Sequence, residues 1–133
     1  MSKKKPRTWA TLVLNGDNLN PDQVSLRLGI TADYTNDQNS KNFEEKPTAP
    51  HWQLNSSLPP TAIYSDHLWD ILKKIAPKRK ELKEISKNCE AVVYTSVEFA
   101  DWDIDGISLE PRLLLLLGDL GIKLEFLPWL EVE

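Results

Sequence analysis

The sharpest chemical signal in the 133-residue sequence is Asp101-Trp102-Asp103-Ile104-Asp105-Gly106, three carboxylates at alternate positions ahead of a glycine. That spacing matches the first half of a calcium loop, in which oxygens converge on a hard cation and a glycine permits the sharp turn. The pattern then requires a bidentate glutamate at its twelfth position. Arg112 stands there, a cation, and Glu110 falls two residues early. The run therefore reads as a solvated acidic turn whose charge favours the N-terminus of the helix that follows. Trp102, between two aspartates, adds an apolar anchor rimmed by carboxylates, a combination that suits a basic protein partner.

The remaining reactive side chains form no local motif. His51 and His67 have no metal-ligand spacing with Cys89. His67 lies in the first turn of a helical pattern, near Asp66 and Asp70, with no nucleophile signature beside it. Cys89 opens a β-forming run, where a small core residue is expected. The five glycines occur singly, so no phosphate-cradling loop is present. Lys73, Lys74, Lys78, Arg79, Lys80, Lys83 and Lys87 form a basic stripe that would attract phosphates. Glu81 and Glu84 interrupt it, and no aromatic rings interleave to stack bases, so a solvated helix face is the expectation. No catalytic, cofactor-binding or metal-ligating residue is assigned. An enzyme or small-ligand protein would need His67 or His51 brought together with carboxylates in space.

These groups must be positioned by one modest domain. Hydrophobic residues make up 41% and charged residues 27%, a globular balance with enough apolar surface for one core. The net charge of -4 favours solubility and argues against whole-surface attraction to nucleic acid. A single cysteine excludes an intramolecular disulfide and points to a reducing, cytoplasmic setting. Residues 1–7 carry Lys3-Lys4-Lys5-Pro6-Arg7, read as a disordered basic end, ahead of a domain spanning 8–133. The apolar stretch Trp9 to Leu14 is too short for a secretion-signal core, and no run is long enough to cross a membrane.

Thr8 to Leu14 is rich in β-formers and ends at Asn15-Gly16, a turn signal. Asn20-Pro21-Asp22-Gln23 reads as a capped helix start, with Gly29 as its stop. A second strand is expected over Ile30 to Thr35. Residues 36–50 form a polar, mobile loop, and His51 to Ser56 alternates as a half-buried strand. Ser65 can cap a helix striped by Leu68, Leu72 and Ile75, and Pro77 opens a shorter one. Cys89 to Val97 is strongly β-forming. A helix opening near Ser108 carries Leu113 to Leu117, apolar on every face and so expected to be the most buried. Ile122 to Leu127 makes a last strand. Trp9, Trp52 and Trp69 fit core positions, whereas Trp102 and Trp129 are less obviously buried. The two ends echo each other in Leu28-Gly29-Ile30 and Leu120-Gly121-Ile122 and read as two β-α-β-like halves. The expected fold is α+β: one mixed or mostly antiparallel sheet of about five strands, with three to four helices packed mainly on one face.

Trp52 with Ser56 and Ser57, His67-Leu68 with Leu72, Pro77 and Leu82, and Gly106-Ile107-Ser108-Leu109 form a further pattern. It continues through Leu117, Leu120-Gly121-Ile122 and Leu124. In these residues the chain resembles a bacterial family known as a domain of unknown function (number 4279). The resemblance implies a fold rather than a reaction, since every shared position is a core, capping or turn residue. It also implies, more loosely, a partner-binding or toxin-neutralising role. The reading from sequence is a non-enzymatic, cytoplasmic protein-binding domain of immunity type that occludes a basic toxin. Asp101, Trp102, Asp103, Asp105 and Trp129 are its contact residues, and it needs no cofactor and no membrane.

Overall fold

The computed structural model describes residues 8–36, 50–97 and 108–127. The basic end 1–7, residues 37–49 of the expected polar loop, the acidic turn and Trp129 lie outside the described residues.

The sheet is organised by Thr8–Asn15 (β1), whose alternate residues Thr8, Ala10, Leu12 and Leu14 are buried while Trp9, Thr11, Val13 and Asn15 are half-covered. Period-two burial of this kind is what a strand with one core face requires. Antiparallel to it lie His51–Asn55 (β3), with Leu12 opposite Leu54, and Glu90–Val97 (β4), with Leu12 opposite Val93. Tyr34–Asn36 (β2) adds antiparallel to β3, and Lys123–Leu127 (β5) adds parallel to β4. The order is β2-β3-β1-β4-β5, a mixed five-stranded sheet in an α+β fold.

The helices are Pro21–Leu28 (α1), Tyr64–Ile75 (α2), Arg79–Ser86 (α3) and Pro111–Leu120 (α4). Pro77 sits in a 3-10 turn, Ala76–Lys78, that runs α2 into α3, so these two form one bent unit. Val24, Leu28, Leu68, Ile71, Leu72, Ile75, Leu82, Ile85, Leu113, Leu117 and Leu120 meet Ala10, Leu12, Leu14, Trp52, Leu54, Ala91 and Val93 in one apolar cluster. The buried stripes of all four helices thus join the same face of the sheet.

Local chemistry accounts for several boundaries. The Asn20 side chain accepts the Gln23 N–H at 3.2 Å, and Pro21 takes the first helical position, where a missing N–H costs nothing. Both α1 and α4 end in a left-handed glycine, Gly29 with φ 64° and Gly121 with φ 72°. Ile30 then donates to Ser25 at 3.2 Å, and Ile122 to Leu117 at 2.9 Å, which are the same helix-closing bond. The echo at the two ends is therefore a shared device: each closes a crossover between parallel strands. The units differ in that β3 lies between β1 and β2, whereas β4 and β5 are neighbours.

Two local expectations are corrected. Ser65 does not cap α2, which starts at Tyr64 behind Ile63 with no side-chain cap. The leucine run in α4 is not buried all round: Leu113, Leu117 and Leu120 are buried, but Leu114 is 50% and Leu115 74% exposed. Among the described elements, α4 contacts α3 and β5.

Candidate functional site

His67 and Ser56 are brought together, which sequence spacing did not reveal. Ser56 follows β3, and His67 projects from the first turn of α2, which packs over β1. The Ser56 hydroxyl lies 2.7 Å from His67 Nδ1 and accepts the Leu58 N–H at 3.2 Å. A serine hydroxyl carries one donor and two acceptor sites, so it can accept the Leu58 N–H and still either donate to Nδ1 or accept from Nδ1–H, according to the imidazole tautomer. Burial lowers the His67 pKa, against the opposing pull of the Pro59 carbonyl and the Asp70 and Asp66 carboxylates. The ring is neutral near pH 7.

This pair has the residue types of a nucleophile and base but not their setting. His67 is only 1% exposed, and its Nε2 has no hydrogen-bond partner. Asp70 does not orient the ring through a hydrogen bond: it accepts the Ser57 N–H at 2.7 Å and pairs with Lys74 at 3.1 Å. Burial works to raise the Asp70 carboxyl, and the Ser57 N–H, Lys74 and His67 together outweigh it and hold it low. Lys74 also donates to Ser57 Oγ at 2.5 Å and to the Asn55 carbonyl at 3.2 Å. Ser56, Ser57, His67, Asp70 and Lys74 form a clamp that joins the end of β3 to α2. Nearby, Trp52 is fully buried, and its indole N–H donates to Ser25 at 2.9 Å, joining the same strand to α1.

His51 is elsewhere, at the start of β3, with its ring 4.9 Å from that of Tyr34 and its pKa lowered by burial. Cys89 is partly buried, donates to the Ile85 carbonyl at 3.3 Å, and has its thiol pKa raised by burial. It lies on a shallow cleft of about 210 Å³ with Asn18, Asn20, Gln23, Arg27 and Asn88. Neither histidine reaches that cleft. Among the described residues, no three His, Cys, Asp or Glu side chains are grouped as metal ligands. The basic stripe is partly neutralised: Lys74 pairs with Asp70, Lys83 with Asp119 and Lys87 with Glu84.

The expected contact residues Asp101, Trp102, Asp103, Asp105 and Trp129 all lie outside the described residues. The edge of that region is fixed at Ser108, whose carbonyl accepts from the Tyr64 hydroxyl at 2.7 Å and whose N–H donates back to it. The acidic segment thus connects β4 to an anchored residue just before α4. On α4 and β5 the structure adds a surface that sequence reading missed. Leu114 and Leu115 are exposed, as are Phe126 at 46% and Leu127 at 38%.

A family model described as Domain of unknown function (DUF4279) matches residues 5–131, nearly the whole chain. The chain belongs to this family. No curated protein and no solved structure matches it. Several residues that carry the DUF4279 resemblance here have structural roles: Trp52, Ser56, Ser57 and His67 tie β3 to the helices. Leu120-Gly121-Ile122 closes α4. No helix among the described residues of this DUF4279 chain is long and apolar enough to cross a membrane.

Proposed function

We propose that this chain is a non-catalytic protein-binding domain whose contact surface is built on α4 and β5. The observation that carries the reading is the exposure of Leu114 and Leu115 on a helix whose core needs are met by Leu113, Leu117 and Leu120. Exposed leucines on α4, together with exposed Phe126 and Leu127 at the end of β5, fit a protein contact. Enclosure of His67 within the clamp supports a non-catalytic role, because a general base must be reachable by substrate.

The finer reading is an immunity-type protein that occludes a basic toxin. Asp101, Trp102, Asp103 and Asp105 precede α4 in the chain, with Gly106 to Glu110 between them and its first residue, Pro111. A partner with an apolar centre and a cationic rim would match both. The test is affinity capture followed by binding kinetics on the purified pair. Leu115→Lys should weaken the complex about tenfold or more. Charge reversal at Asp101 and Asp103 should slow association and flatten its salt dependence. A complex indifferent to both changes would remove this surface from consideration.

A further inference from the structure

Strand β5 is one edge of the sheet, and among the described residues nothing pairs with its outer side. Exposed backbone edges recruit strands, and proteins commonly blunt them with charge. Here the charges alternate in sign: Lys123 and Glu125 lie on one face and pair with each other at 2.9 Å. Leu124 and Phe126 occupy the opposite face, toward the helices, opposite Val93 and Thr95 of β4.

Consider two copies of this edge run antiparallel about a twofold axis through Leu124. Each Lys123 then faces Glu125 of the other copy, Leu124 faces Leu124, and Ile122 faces Phe126. Opposite charges meet opposite charges on one face, while apolar side chains meet on the other. Shifting the axis by one residue to Glu125 sets two carboxylates against each other. The sequence of the edge thus favours one self-complementary register, the requirement of a closed twofold contact.

The flank of α4 extends this face. Asp119 pairs with Lys83 of α3, so its side faces α3. Leu114, five residues earlier, stands roughly 140° around the helix, on the flank away from α3. It lies on the same side of the sheet as Leu124 and Phe126.

We propose that β5 pairs antiparallel with β5 of a second copy in this register, making a continuous ten-stranded sheet with both α4 helices on one side. The inference rests on the reading of the α4–β5 end as a contact surface and assigns the strand edge of that surface to a second copy of the chain. In this register three residues of each β5, Lys123 to Glu125, face the same three of the other copy, with Phe126 opposite Ile122, so the interface is small and the dimer is expected to be weak and concentration-dependent.

The test is light scattering coupled to size exclusion over a concentration series up to about 0.5 mM, above the micromolar range of small interfaces. The expected mass rises toward twice 15.2 kDa. Glu125→Lys should raise the dimer dissociation constant about tenfold, because each copy then sets lysine against lysine. The double swap Lys123→Glu with Glu125→Lys should restore it. These residues are exposed or partly exposed, and circular dichroism of each variant checks that the fold is kept. A monomer at every concentration, or a dimer that ignores both variants, overturns the proposal. Failure here remains separable from failure of the binding reading: a monomer whose foreign partner is still lost on Leu115→Lys refutes self-pairing alone.

Discussion

Ser56→Ala should destabilise the fold far more than its size suggests. The hydroxyl bonds buried His67 Nδ1 at 2.7 Å and accepts the Leu58 N–H at 3.2 Å. Removing it leaves one fully buried ring nitrogen and one half-buried amide unpaired. A buried group stripped of its partner costs about 1–3 kcal/mol, and water can partly replace the bond to Leu58, so the expected loss is about 2 kcal/mol. For 133 residues, an unfolding entropy of roughly 2.1 cal/mol/K each totals about 280 cal/mol/K, so the melting temperature should fall by about 7 °C. The assay is thermal unfolding followed by circular dichroism at pH 7.5. Ser57→Ala is the control: its hydroxyl bonds only Lys74 at the surface, and its loss should stay within about 0.5 kcal/mol. If Ser56→Ala melts within about 2 °C of the unmodified chain, well short of the calculated drop, the clamp is not the stabilising device described here.

Gly118 and Gly121 should respond in opposite directions to alanine. Gly118 lies in α4 with open space around an added Cβ, so Gly118→Ala should stabilise by about 0.5–1 kcal/mol. Gly121→Ala should cost about 1–2 kcal/mol, since φ is +72° and the new Cβ would meet Ser86 Oγ at 3.3 Å; denaturant midpoints of the two variants measure both effects. Acid should weaken the fold through His67, whose folded pKa lies below its unfolded value near 6.5. The unfolded state then binds more protons, so stability is full above that value and falls below it, by at most about 1.4 kcal/mol per pH unit for this group. His51 acts in the same direction, and urea midpoints at pH 7.5 and 5.5 should differ less in a His67→Gln variant. Asp70, held low, contributes only in a separate window, losing its share as pH drops below about 4. Native Cys89 should react slowly with a thiol reagent at pH 7.5 and quickly once unfolded, because burial keeps it protonated. Leu115→Lys should leave the melt within about 0.5 kcal/mol while reducing binding, since the two residues have similar helix propensity.

Boundaries governed by local chemistry were legible in the sequence. The Asn20 cap, the left-handed glycines after α1 and α4, and the alternation of β1 each depend on residues within a few positions of one another. The Ser56–His67 clamp was not, because eleven positions separate the two side chains and only the turn from β3 into α2 joins them. Both residues appeared in the family pattern, but no spacing rule links a serine after a strand to a histidine inside the next helix. The misjudged burial of α4 has a different cause. Five consecutive leucines hide the periodicity that normally marks the core face, so composition suggested burial on all sides. The spacing of Leu113, Leu117 and Leu120 nevertheless defined one stripe, and Leu114 and Leu115 fall outside it.

That remainder is the strongest pointer to function, and helix propensity does not explain it away. Leucine, lysine and glutamate form helices about equally well, so a charged residue at 114 or 115 would serve α4 as faithfully and improve solubility. The chain does use charge on other helix surfaces: α3 is Arg79, Lys80, Glu81, Lys83 and Glu84 around Leu82 and Ile85. The same folding rules thus give a charged exterior on α3 and a leucine exterior on α4. The difference is not required by the core, which both helices complete in the same cluster. A contact surface accounts for it, and the alternating charges of the adjacent strand edge give that contact a register.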